Sequence, residues 1–250
     1  MGSILEVRNL TKRFGGLTAV AGLDFDLHEG EILGLIGPNG AGKTTTFNII
    51  AGTYQADEGE IRFAGQPILG LPPHRIARLG IMRTFQHNRP FSGMPVLENV
   101  MVGAHTRFSA NIFSRKASNE ERAQRRRAEE LVEFVGLAGL RDADVGTLSF
   151  GQGRLLEIAR ALAGEPRVIL FDEPAAGLSP TERSELVEIL TSLPAHIGYI
   201  VIEHDMDVAL RVVESVTMMH NGRIFKEGPP GEIESDPEVQ ELYLGGGHHG

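Results

Sequence analysis

Hydrophobic and polar positions alternate near the start of the chain, a pattern typical of half-buried strands. Residues 4–10 and 20–27 both alternate in this way, and we expect the two strands to pair antiparallel across a turn at 12–16. A short apolar run then leads through a glycine-rich stretch into TFNIIA, which predicts a strand, a loop and a helix over 31–51. Further strands are expected at 60–64 and 80–85, with a short helix at 74–79 between them.

The pattern becomes helical between residues 87 and 163. Residues 96–104 and 151–163 are expected to form helices, and a longer helix is expected from 119 to about 135. Apolar residues recur in this longer helix at i, i+3, i+4 and i+7, namely Ala128, Leu131, Val132 and Val135. We therefore interpret the region of about 87–163 as a helical subdomain inserted into an α/β core.

The last third of the chain contains strands that are apolar throughout. The runs at 168–171 and 199–202 are typical of parallel strands buried on both faces. A helix is expected between them at 180–193, and a hairpin around Asn221-Gly222 precedes two short helices at 231–234 and 237–244. The pattern predicts one α/β domain over 4–244, with an antiparallel β subdomain and the helical insertion, and a flexible tail at 245–250.

Composition narrows the classes of partner. The 250 residues include 24 Lys and Arg against 33 Asp and Glu, a net charge of −9, which argues against nucleic-acid binding because that normally requires a basic face. The absence of cysteine excludes disulfides and cysteine-ligated zinc. No run of 18 or more apolar residues is present, and the N-terminus lacks the long apolar core expected of a secretory signal. We therefore expect any membrane role to act through a partner.

The stretch at 37–44 matches the phosphate-binding P-loop pattern G-x-x-x-x-G-K-[ST] between a predicted strand and a helix. Glycines allow backbone N–H groups to turn toward phosphates, and the N-terminus of the following helix adds partial positive charge. A lysine at this place can reach the β- and γ-phosphates, and the next hydroxyl can hold Mg²⁺. The predicted phosphate-binding set is Gly37, Pro38, Asn39, Gly40, Ala41, Gly42, Lys43, Thr44 and the adjoining Thr45.

Four other places carry candidate chemistry, each with a plainer alternative. Phe14 could stack on a nucleobase or belong to the core, and Gln86 could face the γ-phosphate or cap a loop. Asp172 and Glu173 end a buried strand, where the first can organise Mg²⁺ and the second can act as general base, or the pair could cap a helix. His204 could contact a γ-phosphate or be structural.

These motifs occur in one order: the P-loop, Gln86, LSFGQ at 148–152, ILFDE at 169–173 and EHD at 203–205. Over about 4–244 the chain resembles the ATP-binding subunit of ABC transporters, which have a P-loop NTPase fold. The resemblance implies that Phe14 stacks on adenine, that Asp172 is the Walker B acid, that Glu173 is the catalytic base and that His204 is the switch histidine. It also implies ATP as substrate, with Mg²⁺ held by Thr44, Gln86 and Asp172.

The signature motif of this family is LSGGQ, and here Phe150 replaces its first glycine. The resemblance implies that Ser149, Gly151 and Gln152 act on the ATP of a second subunit in a head-to-tail dimer, formed with itself or with a sister ATPase. The other implied partners are transmembrane permease subunits and, indirectly, a periplasmic or extracellular binding protein. The implied location is peripheral, on the cytoplasmic face of the membrane.

Subfamily features favour importers of branched-chain amino acids, in particular their larger ATPase subunit. RTFQ at 83–86, DEPAAGLSP at 172–180, VIEHDMDVA at 201–209 and the ending EIESDPEVQELYLG are similar to that group. Ser179 stands where the family more often carries Asp. Lipopolysaccharide-export ATPases are also similar, and a soluble ABC ATPase without a transport role and a P-loop kinase are the remaining alternatives.

Overall fold

The computed structural model describes residues 2–84, 91–104, 115–204 and 206–245, without the side chains of 115–120 and 243–245. Its strands are β1 (Ser3–Phe14), β2 (Leu17–His28), β3 (Ile32–Ile36), β4 (Glu58–Phe63), β5 (Gln66–Pro67), β6 (Ile81–Arg83), β7 (Val168–Asp172), β8 (Gly198–Glu203), β9 (Ser215–His220) and β10 (Arg223–Gly228). Its α-helices are α1 (Lys43–Ile50), α2 (Pro73–Leu79), α3 (Val96–Ala104), α4 (Arg115–Phe134), α5 (Phe150–Ala163), α6 (Pro180–Thr191), α7 (Met206–Val212), α8 (Pro230–Ser235) and α9 (Pro237–Gly245).

A six-stranded sheet in the order β10-β9-β3-β8-β7-β6 forms the centre. All neighbours from β9 to β6 are parallel, and β10 is the antiparallel partner of β9 across the predicted hairpin. Side chains of β7 alternate between two cores, with Val168 and Leu170 on one face and Ile169 and Phe171 on the other. Burial on both faces explains why this strand is apolar throughout.

A second, antiparallel sheet in the order β2-β1-β4-β5 covers one face of the central sheet. Its apolar residues share a core with α1, whose Phe47 is completely buried. The predicted antiparallel pair is confirmed, but the turn at 12–16 is wrong in extent. Lys12 and Arg13 pair with Val20 and Thr18, so β1 runs to Phe14 and only Gly15 and Gly16 form the turn.

Helices α3, α4 and α5 pack together on the opposite face of the central sheet. All four apolar residues predicted for the long helix are buried there: Ala128, Leu131, Val132 and Val135. The helix starts at Arg115, earlier than the expected 119, because the polar residues at its start give no apolar signal in the sequence. No helix in the described ranges is both long and apolar enough to cross a membrane.

The parallel register decides what meets at the edge of the central sheet. Strands β3, β8 and β7 are adjacent, and their carboxyl ends are Ile36, Glu203 and Asp172. Loops that follow adjacent parallel strands lie side by side, and ligands of α/β proteins bind at that edge. The glycine-rich loop, His204 and Glu173 follow these three strand ends directly.

Candidate active site

The glycine-rich loop leaves β3 and enters α1 under tight steric constraint. Gly37 has φ 147°, and a Cβ there would lie 2.2 Å from the carbonyl oxygen of Met219. Gly42 has φ 104°, and a Cβ there would lie 2.4 Å from the carbonyl oxygen of Ala19. Any larger residue at either position would displace backbone, so the fixed glycines of the pattern follow from packing as well as from the turn.

Lys43 begins α1 and is 5% exposed. Its Nζ donates hydrogen bonds to the carbonyl oxygens of Gly37 and Pro38 at 2.5 and 2.9 Å, so the ammonium lies inside its own loop. Burial lowers the pKa of Lys43, and the negative charges of Glu173 and Asp172 oppose that change. The charge of Lys43 is thus felt by the two acids at the end of β7.

A cleft of about 410 Å³ joins the loop to the other candidate residues. Most of its lining was predicted as phosphate-binding, and Phe14 and Glu173 share it. The full lining is Phe14, Leu17, Thr18, Ala19, Asn39, Gly40, Ala41, Gly42, Lys43, Thr44, Thr45, Glu173 and Asn221. Gly37 and Pro38 contribute through their carbonyl groups to Lys43.

Phe14 lies at this cleft and is not a core residue. Its side chain is 44% exposed, and its ring meets the edge of Tyr54 at 5.6 Å between ring centres. Lys12 Nζ lies 5.3 Å from the same ring centre. An exposed ring beside a P-loop can stack on a planar base, which favours the first of the two alternatives open for Phe14.

Asp172 ends β7 and is 3% exposed. Its Oδ2 accepts a hydrogen bond of 2.6 Å from Arg83 Nη2, and Arg83 Nη1 also donates to Asn48 Oδ1 at 2.7 Å. Its Oδ1 is buried and has no hydrogen-bond partner among the described residues. One oxygen of this carboxylate is therefore paired with Arg83, and the other retains its lone pairs for a further ligand.

Glu173 adopts an unusual backbone conformation for a residue with a side chain, with φ 48°. Its N–H donates to the carbonyl oxygen of Ile202 at 2.9 Å, and its side chain lines the cleft. His204 Nδ1 lies 3.8 Å from Glu173 Oε1, on a side chain that is 52% exposed. The arrangement brings a carboxylate and an imidazole together at the mouth of the glycine-rich loop.

Ser149, Gly151 and Gln152 lie at the start of α5 and are not among the residues that line this cleft. The Ser149 hydroxyl accepts from the Gln152 N–H and the Gln152 side chain accepts from the Ser149 N–H, which forms a capping box. Phe150 is 58% exposed, and its ring lies so close to Gly177 that a Cβ there would be 3.1 Å from Cε1. Gln86 lies outside the described residues.

A sequence model described as "ABC transporter" matches residues 20–176, which include the glycine-rich loop, the start of α5 and both acids at the end of β7. The chain belongs to the ABC transporter family. The resemblance drawn from the order of motifs is confirmed, and so is the P-loop NTPase fold. As a member of this family the chain is an ATPase domain.

Curated relatives within the ABC transporter family are similar along their whole length. The high-affinity branched-chain amino acid transport ATP-binding protein BraF of Pseudomonas aeruginosa is 41% identical, and the match covers 97% of this chain and 98% of BraF. LivG of Escherichia coli, described in the same words, is 40% identical with the same coverage.

Solved structures of ABC cassettes give the same result for the fold. The ADP conformation of MJ1267, an ATP-binding cassette of an ABC transporter, superposes with a TM-score of 0.86 at 34% identity, over 98% of this chain and 100% of that chain. A dimeric post-hydrolysis state of the cassette MJ0796, bound to ADP and Pi, has a TM-score of 0.75 at 26% identity, over 90% of this chain and 98% of that chain.

Sequence reasoning missed several residues of this ABC site. Leu17, Thr18 and Ala19 start β2, and Asn221 forms the turn of the β9–β10 hairpin. The hairpin itself was predicted, but its contact with the loop depends on the Gly222 N–H, which donates to the Ala41 carbonyl at 3.0 Å. Such long-range contacts leave no local pattern in the sequence.

Proposed function

We propose that this chain is the ATP-hydrolysing subunit of an ABC importer for branched-chain amino acids. The observation that carries the reaction is the single cleft that holds the P-loop lysine, Glu173 and the exposed ring of Phe14. The similarity to BraF and LivG over nearly the whole chain supports branched-chain amino acids as the transported solutes. The domain assignment that goes with this proposal is one ATP-binding domain over 4–244 with a helical subdomain at about 87–163.

The residues of the cleft have complementary tasks in this proposal. Phe14 stacks on the adenine, and the backbone N–H groups of 39–45 with Lys43 bind the phosphates, to which the N-terminus of α1 contributes partial positive charge. Glu173 accepts a proton from the attacking water and orients it in line with the γ-phosphate. His204, beside Glu173, contacts the γ-phosphate and holds the water and base in register.

A magnesium ion fits the Asp172 carboxylate and the Thr44 hydroxyl beside the cleft. Hard cations prefer oxygen ligands, and the buried Oδ1 of Asp172 has no hydrogen-bond partner among the described residues. Asp172 and the exposed hydroxyl of Thr44 are the ligands we propose, with Gln86 completing the set. A magnesium ion held there would neutralise charge on the phosphate groups of the bound nucleotide.

A second copy or a sister ATPase completes the site in this proposal. Ser149, Gly151 and Gln152 lie outside the cleft of their own chain, so their task is assigned to the ATP of the partner. There the Ser149 hydroxyl, the Gly151 N–H and the N-terminus of α5 meet the γ-phosphate. The nucleotide-bound dimer of the related cassette MJ0796 supports this assembly.

Transmembrane permease subunits are the proposed partners in transport, with a periplasmic or extracellular binding protein acting indirectly. A groove of about 480 Å³ lies between α2 and β6 on one side and α3 and α5 on the other. Thr84 and Phe91, which flank Gln86 in sequence, both line it. We assign this groove to the permease, which places the chain peripherally on the cytoplasmic face of the membrane. The net charge of −9 supports the absence of a nucleic-acid partner.

Co-purification with its permease and reconstitution into liposomes test the transport assignment. With the cognate binding protein added, leucine, isoleucine or valine should stimulate ATP hydrolysis, whereas glycine and glutamate should not. Stimulation by a lipid or lipopolysaccharide, with none by branched-chain amino acids, would contradict the assignment and indicate an exporter. The Lys43→Ala variant, assembled in the same complex, controls for contaminating ATPases.

A further inference from the structure

Glu203 is a buried carboxylate to which none of the motifs assigns a task. It ends β8 and is 1% exposed, although acidic side chains are almost never fully buried unless they are paired. Its Oε1 accepts a hydrogen bond of 2.9 Å from the N–H of Ala175. Its Oε2 is buried and has no hydrogen-bond partner among the described residues. The His204 backbone N–H also interacts with this carboxylate, and the Ala175 N–H is the donor that belongs to the turn after Glu173.

This contact fixes the turn that follows Glu173. The Glu173 N–H donates to the carbonyl of Ile202, and two residues later the Ala175 N–H donates to the side chain of Glu203. Adjacent residues of β8 therefore hold the turn on both sides of Pro174. The bond from the Ala176 N–H to the Glu173 carbonyl, at 3.2 Å, closes the turn from within.

The turn needs this support because Glu173 has φ 48°, in the left-handed region. Residues other than glycine occupy this region at a cost in free energy, and they remain there only where the surroundings hold them. The Glu173 side chain lines the phosphate cleft from this conformation. Loss of the bond at Ala175 would allow the backbone to relax and the carboxylate of Glu173 to turn away.

A carboxyl group at this place carries an energetic cost. Burial raises the pKa of Glu203, and the charge of Glu173 raises it further, whereas His204 and the hydrogen bond from Ala175 oppose the change. An apolar side chain of similar size would avoid this cost. The benefit of the carboxyl group then lies in the acceptor that it offers to backbone N–H groups, among them that of Ala175 in the turn after Glu173.

We propose that Glu203 is a positioning residue for Glu173. Its carboxyl group holds the Ala175 N–H and thereby keeps Glu173 in the left-handed conformation that directs its side chain to the cleft. This inference rests on the proposed function, in which Glu173 is the base for ATP hydrolysis. It adds to that function a residue that touches neither nucleotide nor metal.

Three variants of Glu203 distinguish the effect of its hydrogen-bond acceptor from the effects of its charge and volume. Glu203→Met keeps the length without an acceptor, and we expect kcat for ATP to fall roughly 100-fold, as misplacement of a catalytic group by about 1 Å can do, with KM almost unchanged. Glu203→Gln keeps an acceptor, so its kcat should stay within about threefold of the wild-type value. Glu203→Asp withdraws the acceptor by one methylene and should lower kcat about tenfold.

A control and a second readout exclude a general loss of structure. Tyr199→Phe removes the bond from the Tyr199 hydroxyl to Pro194 O on the same strand and should keep the wild-type kcat. Amide exchange at Ala175 should be faster in Glu203→Met than in the wild type, and close to wild type in Glu203→Gln. If Glu203→Met does not fold, Glu203→Asp decides by the same measurements.

The outcomes separate this inference from the proposed function. If the wild-type chain hydrolyses ATP and Glu203→Met has the same kcat, the positioning role is overturned while the proposed function stands. A Glu203→Gln variant as slow as Glu203→Met would also overturn the positioning role, because an acceptor at this position would then not be sufficient to maintain kcat. If the wild-type chain does not hydrolyse ATP, the proposed function itself fails.

Discussion

Lys43, Asp172 and Glu203 are buried ionisable groups at the carboxyl edge of the central sheet, and each compensates the cost of burial differently. Lys43 donates to two carbonyls of its own loop, Asp172 pairs with Arg83, and Glu203 accepts from the backbone N–H of Ala175. A buried charge without partners would cost several kcal/mol, so these contacts decide which residue types are tolerated. These candidate side chains are thus held in place by partners to which no catalytic task is assigned.

The pair of Arg83 and Asp172 allows a stability prediction. Their side chains are 12% and 2% exposed, and their atoms approach to 2.6 Å. Arg83→Met should lower the free energy of unfolding by about 3 kcal/mol, because it leaves a buried carboxylate unpaired. Adding Asp172→Asn should restore part of that loss, since the uncompensated charge is then gone. Urea unfolding of the wild type, the two single variants and the double variant measures both effects. A loss of unfolding free energy in the double variant equal to the sum of the two single losses would contradict this prediction.

Glu203 gives a prediction for the dependence of stability on pH. Its pKa is raised from 4.5, so over the window above 4.5 the folded chain holds a proton that the unfolded chain has lost. The free energy of unfolding should therefore fall as pH rises through this window and level off above the raised pKa. The Glu203→Gln variant should lack the part of this fall that is due to Glu203. The pKa of Glu157 is also raised by burial, but Glu157 is present in both proteins and therefore does not affect the comparison. Parallel stability curves for the two proteins would contradict the prediction.

For single residues, the sequence predicts which side chains belong to the candidate site better than it predicts which partners hold them. The P-loop, both acids and His204 could be selected because their types and order are restrictive. The ion pair of Arg83 with Asp172 joins positions 89 residues apart, and the hydrogen bond from Ala175 to Glu203 joins positions 28 apart. Neither has a local pattern, so only the folded chain reveals them.

Among the elements, helices α5 and α6 begin with the same device. Ser149 with Gln152 and Ser179 with Glu182 each form a capping box at the helix start. Hydrogen bonds from Ser179 and from the Gly151 N–H lower the pKa of Glu182, so its carboxylate contacts the start of both helices. Phe150 packs beside Gly177 at the same junction. Phe150 and Ser179, the two departures from the family pattern, therefore both lie where the signature motif meets the turn after Glu173.

Substitutions of Ser179 test this junction. Ser179→Ala removes the cap and should cost about 1 kcal/mol, a decrease in Tm of roughly 2–4 °C for a chain of this size. Ser179→Asp restores the family's usual residue, but its carboxylate would face Glu182 Oε2, which now accepts from the Ser179 hydroxyl at 2.8 Å. We therefore expect Asp to lower Tm as well, although Asp is in general as good a cap as Ser.

Ser184→Ala, in the same helix, is the matched control for these variants. Its hydroxyl bonds only to the carbonyl of Pro180 among the described contacts, and alanine favours helix more than serine. Its Tm should not decrease. A Ser179→Asp protein more stable than the wild type would show that the contact with Glu182 is unimportant.

Most elements could be predicted from periodicity, but their ends could be predicted only where the apolar pattern starts and stops with the element. Helix α3 begins and ends where expected, because its apolar residues start and stop with it. Strand β1 continues to Phe14 through polar residues that are fixed by pairing with β2, not by burial. Cross-strand pairing of this kind is a property of two segments, so the pattern of one segment underestimates its length.

For the whole molecule, the decisive fact is the order of strands. Because β3, β8 and β7 are neighbours and parallel, the P-loop, His204 and Glu173 meet at one edge of the sheet although they are far apart in sequence. Strand order could be expected only through the resemblance to ABC ATPases, since periodicity does not encode it. The signature residues at the start of α5 do not join this cleft, which is the reason for proposing a site shared by two subunits.

The central claim is that Glu173 is the base for hydrolysis in an ATP-bound, head-to-tail dimer. Glu173→Gln keeps the size and the hydrogen-bonding reach of the side chain but cannot accept the proton, so ATP turnover should fall at least about 100-fold. The unhydrolysed ATP should then hold two chains together, and sedimentation of the variant with ATP and Mg²⁺ should show a dimer that dissociates when ADP replaces ATP. Turnover at the wild-type rate, or a variant that stays monomeric with ATP, would contradict the account.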